Sequence, residues 1–136
     1  MTTLERYNGI QTMMGELFDS GCHFLVLLSI AEEESGAQID LIEAIRISQS
    51  KGWMRSDFYV VDALSILRFY THKEWVREEV KKLPKDILDN QYTEVVYFNK
   101  RTSFKHYRRR AFDTLENSTT VREGYVLNYY IYTCRR

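Results

Sequence analysis

Cys22, in the stretch DSGCHFLVLL, and His106, in FKHYRRRAF, have the chemistry of a nucleophile and its base. A thiol becomes a strong nucleophile when it ionises. Ionisation is favoured at a helix start, where unpaired backbone N–H groups and the positive end of the helix dipole gather. The apolar run after Cys22 predicts a helix that begins near this residue, with the sulfur at that start. Such a nucleophile needs a base within hydrogen-bond reach and a third group that orients the base. The chain has three histidines. His23 follows Cys22 directly and points about a third of a turn away, which makes it a poor base for its neighbour. His72 lies in a polar run. His106 lies early in a strand-like segment, where a sheet can present it to the helix start.

Asp113, in AFDTLENS, is the candidate orienter of His106. In one unbroken strand their separation spans roughly 23 Å, and the odd offset puts the side chains on opposite faces. They meet only if the chain reverses near 108–110. That stretch contains none of the Gly, Asn, Asp or Pro that favour tight turns.

These residues must be positioned by the elements around them. Leu4, Ile10, Met13, Met14 and Leu17 recur at helical spacing over 3–17. The DSG at 19–21 then breaks the pattern. Phe24 to Ala31 is apolar except for Ser29, which predicts a central helix over Cys22–Glu34 that stops at Ser35-Gly36. A third helix is expected over Asp40–Ser50 with Asp40 as its cap. A fourth is expected over about Ser56–Phe69, with Val60, Val61, Leu64, Ile66 and Leu67 inward. His72–Leu83 suits a helix or a strand, and Pro84 closes it.

Beyond Asn90 the stretches YTEVVYFN, FKHYRRRAF and YVLNYYIYT are rich in β-branched and aromatic residues. They predict an antiparallel sheet with turns near Asn99–Ser103 and Glu116–Gly124. The expected architecture is one α+β domain over 1–136, with N-terminal helices (about 1–83) packed on a C-terminal antiparallel sheet (about 91–134).

With 136 residues, the chain is long enough to bury a core without metal or disulfide staples. Its 19 basic and 19 acidic residues balance, so the molecule as a whole has no electrostatic reason to seek nucleic acid or an anionic membrane. No apolar run approaches the roughly 20 residues that span a bilayer. The N-terminus MTTLERYNGIQ lacks the order of a secretory signal. Cys22 and Cys134 show no metal-ligand spacing, and a reduced cytoplasmic protein is the simpler expectation, although the sequence leaves a disulfide open.

The chain order of helix-start Cys, then His, then Asp resembles that of papain-like cysteine peptidases. GCHFLVLLSIAEE, Gly52-Trp53, Asp57 with the helix expected after it, and HY…FDTLENSTTVREG resemble small phage- and plasmid-borne proteins. Those are similar to the peptidases that cleave bacteriocin leaders. The resemblance runs from about Ser20 to Tyr132. It implies a papain-like fold, a peptide or protein as substrate or partner, and no cofactor or metal. Carried over residue by residue, Cys22 is the nucleophile, His106 the general base and Asp113 the orienting acid. In two places the chain departs from the family. Papain-like enzymes place a Gln about six residues before the Cys, where its amide steadies the oxyanion. Here that position is Glu16, an acceptor when ionised, and Gln11 is the nearest substitute. The His-to-Asp segment is also short.

Each residue has an ordinary structural reading beside this one. A cysteine among apolar neighbours is usually core. Asp113 suits a turn, Glu32-Glu33-Glu34 suits a solvated helix end, and the tyrosines of YVLNYYIYT suit sheet packing. Trp53 and Trp75 wall a cleft only if they lie near Cys22. The basic run formed by Lys100, Arg101, Lys105, Arg108, Arg109 and Arg110 alternates with Phe104 and Tyr107. Such a strand can bind single-stranded nucleic acid, but the balanced charge and the lack of a known motif disfavour that. A solvated face or a docking patch for an acidic partner is the plainer expectation. Two functional expectations therefore lead: thiol-dependent hydrolysis, and a catalytically silent relative that acts as a binding or adaptor protein.

Overall fold

A computed structural model describes residues 18–109 and 124–136. Among these residues three helices precede a four-stranded antiparallel sheet, giving an α+β architecture. Helix α1 covers Phe18–Ser35, α2 Leu41–Ser50 and α3 Ala63–Thr71. Strands β1 (Glu74–Val80), β2 (Gln91–Asn99), β3 (Phe104–Arg109) and β4 (Tyr125–Arg135) lie in the order β1-β4-β2-β3. None of the described helices is long and apolar enough to cross a membrane. The helix expected over 3–17 and the turn expected near Glu116–Gly124 lie outside the described residues.

Helix α1 is the central element, as its apolar sequence requires. Phe24, Val26, Leu27, Leu28, Ile30 and Ala31 are all buried, so the helix is covered on several sides. It does not begin at Cys22: the DSG triplet is already helical, and propensity alone does not break a helix that packing holds. It ends as expected, where Gly36 adopts φ 71° and its N–H bonds back to the Glu32 carbonyl. Truncating Leu27 to Ala in this core is worth about 2–5 kcal/mol.

Helix α2 follows its sequence signals closely. Asp40 Oδ1 accepts the N–H of Glu43 at 2.9 Å, and Lys51-Gly52 ends the helix. Helix α3 starts later than its apolar pattern predicts. Residues 53–62 form a compact loop in which Trp53 O accepts the N–H groups of both Val61 and Asp62, and Met54 bridges to Val60. Asp57 competes for this backbone by accepting the Tyr59 N–H, and Phe58 is held at φ 68°. Asp62, accepting from Ser65 N, is the true cap. His72 ends α3 in the left-handed region at φ 56°.

The ambiguous 72–83 stretch resolves as strand β1, so the sheet begins well before residue 91. Glu74–Val80 pairs with β4 along its whole length, from Glu74 opposite Arg135 to Val80 opposite Tyr129. A free β4 edge next to this stretch decides the matter against the helix-forming Glu78-Glu79. Between β2 and β3 the expected turn spans 100–103, with Ser103 N–H bonded to Asn99 O.

One face of the sheet packs on α1. Tyr92 and Glu94 of β2, Tyr107 and Arg109 of β3 and Tyr132 of β4 share it, each alternating with residues of the other face.

Candidate active site

Strand β3 is an edge strand, and α1 runs close enough beside it for consecutive residues of the two elements to meet in pairs. Cys22 Sγ lies 3.1 Å from His106 Nδ1. One residue along each element, the ring of Tyr107 stacks on His23 with centroids 4.5 Å apart. Further down the helix, Arg109 donates to Ser29 Oγ and to Glu33.

The Cys22–His106 contact joins the two residues singled out from their types. An imidazole nitrogen at this distance is within reach of the thiol proton, and its transfer leaves a thiolate beside an imidazolium. The surroundings differ from the expected ones in one respect. Cys22 lies in the second turn of α1, so the orphan N–H groups of the helix start fall at or before Gly21. The imidazole, rather than the helix start, is the partner that can favour the thiolate. Both side chains are buried, at 1% exposure for Cys22 and 0% for His106. Asp113, Glu16, Gln11 and Arg110 lie outside the described residues. Both cysteines are free thiols. Cys134 is buried opposite Trp75, where desolvation pushes its thiol up and the Glu34 carboxylate adds to the shift.

The expected basic strand does not form one patch. Lys100 and Arg101 are exposed in the turn, and Lys105 is exposed on β3. Arg108 stacks over Tyr97 at 5.9 Å. Arg109 is 7% exposed and committed to α1, which corrects its place on an open basic face. The tryptophans have separate tasks. Trp75 donates to Thr71 Oγ1 in the core, and Trp53 packs on Phe69.

The sequence also hid a second buried constellation. His23 Nδ1 lies 2.7 Å from Glu94 Oε2, and the Tyr132 hydroxyl donates to Glu94 Oε1 at 2.8 Å. An ionised carboxylate can only accept, so against it the His23 ring carries its proton on Nδ1. Glu94 is fully buried. Burial, reinforced by the Glu94 charge, raises Tyr132 well above the usual phenol range, so it remains a donor. The one available signal for Glu94 was its place in YTEVVYF, an acid in phase with Tyr92 and Val96 on a strand otherwise fit for a core. His23 and Tyr107 open onto a cavity of about 620 Å³ that Tyr59, Val60, Val61 and Ala63 also line.

Glu32-Glu33-Glu34 is a solvated helix end only in part, at Glu33. Glu32 Oε2 accepts the Ile39 N–H, Glu33 takes Arg109, and the Glu34 side chain is 2% exposed among Lys73, Arg136 and Tyr92. Hydrogen bonds from Arg136 lead the effects that lower the Glu34 carboxyl to about 2, against the opposing cost of burial. Among the described residues no group of three or more His, Cys, Asp or Glu is placed to hold a metal ion. No protein-family model matches this chain, and no curated protein or solved structure is significantly similar to it.

Proposed function

We propose that the protein is a thiol-dependent hydrolase of peptide or isopeptide bonds with a papain-like arrangement of nucleophile and base. The observation that carries this reading is the 3.1 Å approach of Cys22 Sγ to His106 Nδ1. In the first step the thiol proton passes to Nδ1 and the thiolate attacks the substrate carbonyl carbon, forming a C–S bond. Collapse of the tetrahedral species breaks the C–N bond, and the imidazolium returns its proton to the departing amine. Water, deprotonated by His106, then cleaves the thioester and releases the acid with the thiol restored. In this reading Asp113 orients the imidazole. An ionised Glu16 cannot donate to the oxyanion, so Gln11 or backbone N–H groups take that part.

The burial of both Cys22 and His106 favours a second reading, a catalytically silent binding protein. One experiment separates the two: the rate of Cys22 alkylation by iodoacetamide against pH, in Cys134→Ser and in Cys134→Ser/His106→Ala. A working pair gives fast alkylation below neutral pH that disappears with His106. A rate that is slow in both and rises only near the ordinary thiol pKa of about 8.5 overturns the hydrolase and leaves the binding protein.

A further inference from the structure

We propose that the cavity beside His23 binds a small organic anion that carries a planar ring. Its volume, about 620 Å³, is that of a small-molecule site. Arg77 and Lys105 line it, and no Asp or Glu does so among the described residues. The nearest buried acid, Glu94, lies behind His23 and Tyr132 and is already bonded to both. Arg77 sits over the Tyr130 ring at 4.7 Å, close enough to Tyr132 and Glu94 to offset that carboxylate. Lys105 is exposed and has no ion-pair partner among the described residues, so its charge is left for a ligand.

The rest of the lining suits a ring. Tyr59, Tyr107 and Tyr130 present aromatic surface, and burial raises the Tyr130 phenol, which stays protonated. His23 completes the site. Its Nδ1 is committed to Glu94, which leaves Nε2 to meet the ligand as an acceptor when neutral and a donor when protonated. Charge alone would satisfy the cations, and a ring alone would satisfy the tyrosines. The lining rewards a ligand that has both. Neither Cys22 nor His106 lines the cavity, so this proposal stands or falls apart from the thiol reading.

The test is an NMR titration of the His23 ring resonances with phenyl phosphate, inorganic phosphate and phenol. Phenyl phosphate is expected to shift the His23 signals saturably and to bind about tenfold more tightly than either part alone. Lys105→Ala, at an exposed strand position, is expected to weaken phenyl phosphate and inorganic phosphate by about tenfold and to leave phenol unchanged. The proposal is overturned if the His23 signals do not move. It is overturned equally if inorganic phosphate matches phenyl phosphate, or if Lys105→Ala leaves phenyl phosphate binding intact.

Discussion

Near its C-terminal end α1 sets Glu33 and Glu34 against Arg109, Lys73 and Arg136, whereas near its N-terminal end it sets Cys22 and His23 against His106 and Glu94. Both contacts tie one helix to the same sheet, yet they use different chemistry. At the C-terminal end, cations that never lose their charge at ordinary pH hold carboxylates at a partly solvated rim, where full charges are tolerated. At the N-terminal end the partners are imidazoles, a thiol, a phenol and the buried Glu94 carboxylate, which His23 and Tyr132 share. Groups of the first kind hold position. Groups of the second kind exchange protons, and a buried proton-exchanging cluster is where chemistry or recognition is to be sought.

The comparison breaks first at Glu94. Replacing it with Ala removes the acceptor of both His23 and Tyr132 at a fully buried position. A loss of about 3–5 kcal/mol is expected, read by urea unfolding at pH 7. A loss below about 1 kcal/mol would show that the network is not a structural anchor.

Glu34 sharpens the comparison by its pH dependence. Its carboxyl is depressed from about 4.5 to about 2, so the folded state binds this proton less readily than the unfolded chain. The stabilisation is complete above about pH 4.5 and is lost as the pH falls towards 2. Its cationic partners are themselves half-exposed, which limits the effect to roughly 1–2 kcal/mol. Unfolding free energies of wild type and Glu34→Gln should differ by that amount at pH 6 and converge near pH 2. A difference that holds constant across this range would mean that the ion pairs contribute nothing.

The smallest effect sets the scale away from both ends. Asp62→Ala removes the α3 cap, with its bonds from Ser65 N and Oγ, and should cost about 1 kcal/mol by the same measurement. If it costs more than Glu94→Ala, the contrast drawn along α1 is false.

Much of this was legible before any coordinates. The apolar run after Cys22, the Asp40 cap and the aromatic, β-branched segments past Asn90 follow from local preference and periodicity, and each appears close to where it was expected. What local preference misjudged has a common cause. DSG stays helical because packing outweighs three weak residues. Residues 56–62 loop because their N–H groups find Trp53 and Asp57. The 74–80 stretch is a strand because β4 offers it a partner. Cys22 and His106 were recognisable as a nucleophile and a base from their types alone. His23 pairs with Glu94 71 positions away, a contact that no neighbour along the helix signals.

The sequence by itself determined which segments are apolar, where α2 starts and stops, where α1 stops, and that a thiol and an imidazole stood in an order compatible with a pair. These properties depend on residues within a few positions of one another. The tertiary structure alone decided that Cys22 touches His106, that Glu94 is buried under His23 and Tyr132, and that Glu34 gathers Lys73 and Arg136. Those contacts join residues dozens of positions apart, and their geometry is set by strand order and by the line α1 takes across the sheet, which no local pattern encodes.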